Sequence, residues 1–424
     1  MALKVLAALA AALSLCGMSV AAAEPASPAW VQMVQGGAEV RAVSADGHCP
    51  ALEFDGEPVA MTLRIAADDA FPAVCQASVP KVARHATLDG TPLALPLRRE
   101  VRRIVVFGDT GCRIKGPLVQ ACNDPEQWPL AEVARRAAER HPDLVIHVGD
   151  YYYRESPCPV GDARCAGSPS GDRWPAWEAD FFAPAGPLLR AAPWVFARGN
   201  HESCKRGGLG WFRLLDAAPE AKACPAEADA FAVPLGGLNL YIVDSADTED
   251  RDTPPKQVAA FSHQLDVLGA GLAKSPGWIV THRPVWGLTP VVRVGPIGPL
   301  NVSLNLTEQE AVKGHDLNAV RMVVSGHVHD FSSFDFGPTR PAQLLVGTGG
   351  DVGEPADSPK ITRDVVVMDG KTARRLEFDR FGYLVLDRQG EGADDWAGVF
   401  YDAKDHPVVR CRLYKRALRC TPAA

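Results

Sequence analysis

The sequence has no basic excess and no CxxC pair, and beyond its leader it has no uninterrupted apolar stretch long enough to cross a membrane. Lysine and arginine number 44 against 51 aspartates and glutamates, giving a net charge of -7. That balance argues against a nucleic-acid partner, which needs a basic stripe for its phosphate contacts. Without CxxC pairs, a cysteine-ligated metal is not expected. Without a long apolar stretch, stable membrane insertion is not expected either. No internal repeat is visible.

What is present is enough for a large core: 424 residues, 47% hydrophobic and 22% charged, sized for one large domain plus a small one. The chain starts as a secretory signal does. Lys4 supplies the positive start, 5–15 is apolar, and Ala21-Ala22-Ala23 offers a small-residue cleavage site before Glu24. A signal over 1–23 implies a periplasmic or secreted protein. Its removal takes Cys16 away and leaves an even set of ten cysteines, which in an exported chain implies disulfides. Spacing does not determine connectivity. Sequential pairing is the simplest assignment: Cys49–Cys75, Cys112–Cys122, Cys158–Cys165, Cys204–Cys224 and Cys411–Cys420. Three of these would clip loops that directly follow candidate ligands.

Residues 24–97 read as a small β-sandwich-like domain of short strands punctuated by Asp46-Gly47, Asp55-Gly56 and Asp89-Gly90 turns. Leu97-Arg98-Arg99-Glu100 reads as a hinge, and 98–424 as the main domain. There, apolar strands at 103–107, 143–148, 194–197, 238–243, 278–280 and 319–324 alternate with helical spacing at 127–140, 255–273 and 305–313. Pro175, Pro184 and Pro187 limit a helix over 174–189. The rhythm is α/β, finished by antiparallel strands after Ala342.

Five segments lie just after, or close to, such strands: Gly108-Asp109-Thr110-Gly111, Gly149-Asp150-Tyr151-Tyr152-Tyr153, Gly199-Asn200-His201-Glu202, Thr281-His282 and Gly326-His327-Val328-His329. Singly, each is ordinary turn or cap chemistry. Together they supply carboxylates, imidazoles, an amide and a phenol, donors suited to Fe, Zn or Mn rather than to a sulfur site. Strand carboxyl ends in α/β sheets are where ligands bind.

These segments resemble the calcineurin-like metallophosphoesterase superfamily over roughly 101–385, and within it the purple acid phosphatase branch, as a bacterial exported member. Gly111 stands where many members have a histidine, and Tyr153 lies three residues after Asp150, as in that branch. The resemblance implies a four-layer α/β/β/α sandwich. It implies Asp109, Asp150, Tyr153 and His329 around a first metal, and Asp150, Asn200, His282 and His327 around a second, with Asp150 bridging. A phenolate needs a strongly acidic cation, which favours Fe(III) beside Tyr153; the neutral Asn200 suits Zn, Mn or Fe(II). His201 matches the histidine that contacts substrate and protonates the leaving group. The substrate-side histidine pair of the family has no match: His282 is followed by Arg283-Pro284, and Arg283 is the positional candidate for a phosphate contact. Tyr151, Tyr152 and Trp286 are candidates to stack on an aromatic leaving group, or else to pack the loops. Residues 287–300 either line the substrate mouth or form a surface loop. The implied function is hydrolysis of small-molecule phosphate monoesters by water or hydroxide activated at two metal ions. Phosphodiesterase action at the same site is the alternative. A non-catalytic envelope binding module on this scaffold is the third reading.

Overall fold

The computed structural model describes residues 27–97, 100–221, 223–293, 299–352, 360–392 and 394–423. The leader and hinge arginines Arg98 and Arg99 lie outside them.

Alternation along buried strands builds the layers. In Arg103–Phe107, Ile104 and Val106 face one core while Val105 and Phe107 face another. Leu240 and Ile242, against Tyr241 and Val243, divide in the same way on a second sheet. The shared core between the sheets holds Ile104, Ile146, Ile242, Trp278, Val324 and Leu344. Outside the first sheet, Leu130–Glu139 and Ala183–Ala191 pack on Val105, Val145 and Trp194. Outside the second, Pro255–Leu268 and Leu306–Val312 pack on Ile279 and Val323. The result is helix, sheet, sheet, helix.

The first sheet has 11 strands and the second 8. Arg103–Phe107, Leu144–His147 and Trp194–Phe196 run parallel, register Val145 against Val105 and Trp194, so their carboxyl ends align. Asn239–Ile242, Gly277–Val280, Val320–Ser325 and Ala342–Val346 form the matching parallel set. Gly382–Arg388, Asp395–Asp402, Pro407–Tyr414 and Ala417–Pro422 complete the first sheet as an antiparallel meander.

The N-terminal residues are less separate than their sequence implies. Ala29–Val34 pairs parallel with Trp194–Phe196 and antiparallel with Gly37–Ser44, so the large sheet continues into them. A four-stranded sheet, built on Leu52–Phe54 and Ala86–Leu88, covers that extension. Val31, Val40 and Ala42 meet Leu52, Phe54 and Leu88 between the two. The small sandwich therefore borrows one layer from the main sheet. The helical path over 174–191 also continues past its prolines, through a wide π turn at Glu178–Phe182. That turn precedes Pro184 and Pro187 and absorbs the register change a missing N–H imposes. Gly287–Arg293 and Pro299–Leu304 pair antiparallel, and the residues between them lie outside the described ones. All five sequential cysteine pairs are bonded.

Candidate metal centre

Five of the parallel strands hand the residues that follow them to one cleft. From the first sheet come Asp109, Asp150, Tyr153 and Asn200; from the second come His282, His327 and His329. The chain must turn sharply to do this. Asp109, Asp150 and His327 take positive φ, at 57°, 61° and 73°. Non-glycine residues pay for that conformation, and such outliers gather at functional sites. Two glycines give the carboxylates room: a Cβ at Gly326 would strike Asp109 Oδ2, and one at Gly199 would strike the Asp150 carboxylate.

The donor atoms fall into two sets. Tyr153 Oη lies 2.8 Å from Asp150 Oδ2, 3.4 Å from Asp109 Oδ1 and 3.0 Å from His329 Nε2. Asn200 Oδ1 lies 3.0 Å from His282 Nε2 and 2.8 Å from His327 Nδ1. Asp150 Oδ2 joins the sets, 3.3 Å from His282 Nε2. Among the described residues, Asp109, Asp150 and His282 offer donor atoms within 4.8 Å of one another.

Each imidazole has one nitrogen occupied from behind, which fixes the tautomer and aims the other nitrogen inward. His282 Nδ1 donates to the Val148 carbonyl at 2.8 Å. His329 Nδ1 donates to the Val352 carbonyl at 2.9 Å. His327 Nε2 donates to Asp250 Oδ1 at 3.0 Å. The carboxylate loop is held by buried acids. Glu202 accepts the amides of Asp150, Tyr151, Tyr152 and Gly199 at 2.8–3.1 Å. Asp180 accepts the amides of Cys112, Tyr153 and Arg154, and Arg154 Nε at 2.6 Å.

The electrostatics suit cations. Burial alone would lower the His282 imidazole, but the Asp150 carboxylate outweighs it and lifts the group to about 9. Burial likewise opposes His329, yet Asp351 and Asp109 raise it to about 9. Burial pushes the Tyr153 phenol well above its usual range, and Asp150 and Asp109 push it further. The potential that draws protons to these imidazoles is the potential that draws metal ions. Oxygen and nitrogen donors, an inward-aimed nitrogen on every imidazole and a shared carboxylate all fit a pair of ions.

His201 occupies the edge of the site. Its ring lies against Tyr153, centroids 3.7 Å apart, and its Nδ1 is 2.9 Å from Glu155 Oε1. Burial, outweighing Asp150 and Glu155, brings its pKa down to about 4. Arg206 pairs with Glu155 and places Nη2 2.6 Å from His201 Nε2. Arg283 pairs with Asp250 and reaches within 3.0 Å of His327 Nε2. One cavity of about 720 Å3 is lined by Asn200, Arg206 and Arg283; another of about 520 Å3 by Arg113, Asp250, His327 and His329. Thr289 and Leu304 put this strand pair on the second cavity's wall.

Of the two readings open for the aromatic candidates, these rings take the packing one. Tyr151 is fully buried, stacks on His147 at 3.9 Å and donates to the Ala197 carbonyl at 2.9 Å. Trp286 is buried against Phe336 and Arg340. Tyr152 is buried too, stacked on Trp177. All three pack the scaffold, Tyr151 and Tyr152 in the core outside the first sheet and Trp286 in the core outside the second. Sequence reading gave no role to Glu202, though it sits in the Gly199 segment three residues after the glycine. It also missed Asp351, which pairs with Arg113 and follows a glycine-rich strand end, and Asp250, which has no local signal.

The calcineurin-like phosphoesterase family model matches residues 102–331, more than half of the chain. This protein belongs to the calcineurin-like phosphoesterase family. It is accordingly a phosphoric ester hydrolase. The calcineurin-like phosphoesterase fold recurs in PhoD at a TM-score of 0.57 and 12% identity, covering 95% of this chain and 94% of that one. A purple acid phosphatase from yellow lupin (Lupinus luteus) seeds gives 0.56 and 14%, covering 94% of this chain and 75% of that one. At such identities the likeness is one of fold. No curated protein sequence matches this phosphoesterase.

Proposed function

We propose that this phosphoesterase hydrolyses small-molecule phosphate monoesters, with Fe(III) held by Asp109, Asp150, Tyr153 and His329, and Zn, Mn or Fe(II) held by Asp150, Asn200, His282 and His327. The observation that carries the reading is the division of donors into two sets joined by Asp150. Two such ions would supply Lewis acidity at the phosphoryl oxygens and a water acidic enough to attack near neutral pH.

The chain's own residues do the rest. Asp180 and Glu202 hold the carboxylate loop rigid, so little reorganisation accompanies reaction. Arg206 and Arg283 bring guanidinium groups to one cavity wall, where the planar fork suits phosphate oxygens. His201, held by Glu155 and Arg206 at the edge of the site, is the group assigned to contact the ester and its leaving group. Five disulfides fit an oxidising compartment, which supports export to the periplasm or beyond the cell. Among the described residues, no helix is long and apolar enough to cross a membrane.

A phosphodiester is the second reading, favoured by the presence of cavities on two sides of the centre, one for each ester arm. Parallel hydrolysis of an aryl monoester and the corresponding diester decides between them; faster turnover of the diester overturns the first reading. The iron assignment has its own test. The native protein should show a visible phenolate charge-transfer band that Tyr153→Phe loses while retaining metal. A colourless, fully active protein containing only Zn or Mn overturns it.

A further inference from the structure

A separate cavity of about 750 Å3 opens at the other end of the strand that leads to His327. Arg321 lines it near the start of Val320–Ser325, whereas His327 follows that strand's end. At ~3.3 Å per residue the two lie on the order of 20 Å apart.

Positive charge converges there from three pieces of chain: Arg321, then Arg374 in Lys371–Phe378, then Lys415, Arg416 and Arg419 in the final hairpin. The lining carboxylates are Asp335 and Asp394. Asp394 is taken by Arg321 at 2.6 Å, and Asp335 accepts the Gly337 amide at 3.0 Å. Arg374 and Arg419 make no ion pair among the described residues. Arg416 reaches the Pro338 and Leu317 carbonyls, while its Nε is buried without an acceptor among those residues. Burial, and then the neighbouring Arg321, hold the Arg416 guanidinium below its ordinary range, with Asp316 opposing. Five cations against two carboxylates leave the lining a surplus of three, in a protein of net charge -7. Phe336 and Tyr414 add apolar wall.

The geometry points to this cavity as a second ligand site, one for a compound carrying at least two clustered phosphate groups. Guanidinium forks pair bidentately with phosphate oxygens, and the converging side chains can engage more than one group at once. A phosphate bears roughly 1.5–2 negative charges near neutrality, so two match the cavity's surplus of three. Such groups occur on free oligophosphates and on phosphorylated lipid headgroups.

The test is calorimetric titration of the metal-loaded full chain with methylenebisphosphonate, which resists hydrolysis, beside an Arg374→Ala/Arg419→Ala double variant. Native protein should show two classes of site. The variant should lose one, its affinity falling at least about tenfold, because hydrogen bonds to charged groups are worth that much each. Turnover and KM for an aryl phosphate should stay unchanged, since both arginines lie away from the metal centre. Flotation with cardiolipin vesicles, against phosphatidylcholine, supplies the second arm. Capture of native but not variant protein supports the site with a lipid source; loss of the soluble class alone supports it with a free compound. If neither probe distinguishes native protein from the variant, the proposal is overturned.

Discussion

The two sheets contribute opposite chemistry to one centre. The 11-stranded sheet delivers the anionic and amide donors Asp109, Asp150, Tyr153 and Asn200; the 8-stranded sheet delivers only imidazoles. Their supports differ as well. The carboxylate loop is fastened by the buried acids Glu202 and Asp180 through several backbone amides each. Each imidazole is aimed by a few outer acceptors, chiefly Val148, Val352 or Asp250. The lesson is that the negative half is preorganised by the backbone, while the imidazole half is steered by side-chain orientation. The field between them is then completed by cations.

The comparison breaks most severely at the group both sets share. Asp150→Asn should lower turnover of an aryl phosphate at least about 10^3-fold, since metal ions supply several kcal/mol of charge stabilisation. Metal analysis should show fewer than two ions per chain. Next is the support of the negative half. Asp180→Ala strands the buried Arg154 guanidinium and should cost about 3–5 kcal/mol, read as a lower denaturation midpoint. The imidazole half should respond differently. Asp250→Ala removes the acceptor of His327 Nε2 and should weaken the second ion by about 10–100-fold; it also unpairs Arg283, but from a carboxylate one-third exposed, so the unfolding midpoint should fall less than in Asp180→Ala. An equal stability loss in both variants would erase the distinction.

The imidazole half also has a pH dependence behind it. Glu308 is buried, and desolvation raises its carboxyl from an ordinary 4.5 to about 7, opposed by Thr248 and Arg283. The folded state therefore holds this proton more tightly than the unfolded chain. Its contribution to stability is fully present below pH 4.5, falls as pH rises and is lost above about 7. Glu308→Gln should remove a fall of on the order of 3 kcal/mol across that window, measured by chemical unfolding. A slope unchanged in the variant would assign it to other groups.

Much of this was legible because it is local. A β run followed by Gly-Asp or Gly-Asn announces a strand end, and three such ends followed in order by Thr281-His282 and Gly326-His327 announce a cleft. The left-handed φ of Asp109, Asp150 and His327 is the structural counterpart of that signal. Adjacent cysteines also pair as their order suggests, since short loops keep their ends close. Whether Tyr151 and Trp286 pack the loops or face a leaving group was left open by the sequence, because a ring's direction depends on what packs behind it. Nor was the merger of Ala29–Val34 with the main sheet, a pairing across more than 150 residues. Asp250 and Asp351 were invisible for the same reason: their partners Arg283 and His327, or Arg113 and His329, are distant in sequence.

The sequence by itself determined the donor types, their order and the strand ends that carry them, because alternation and turn chemistry act over a few residues. Only the tertiary structure decided which atoms meet, which acids brace them and where surplus positive charge collects. Those outcomes depend on two sheets packing face to face, and no local stretch of chain contains that contact.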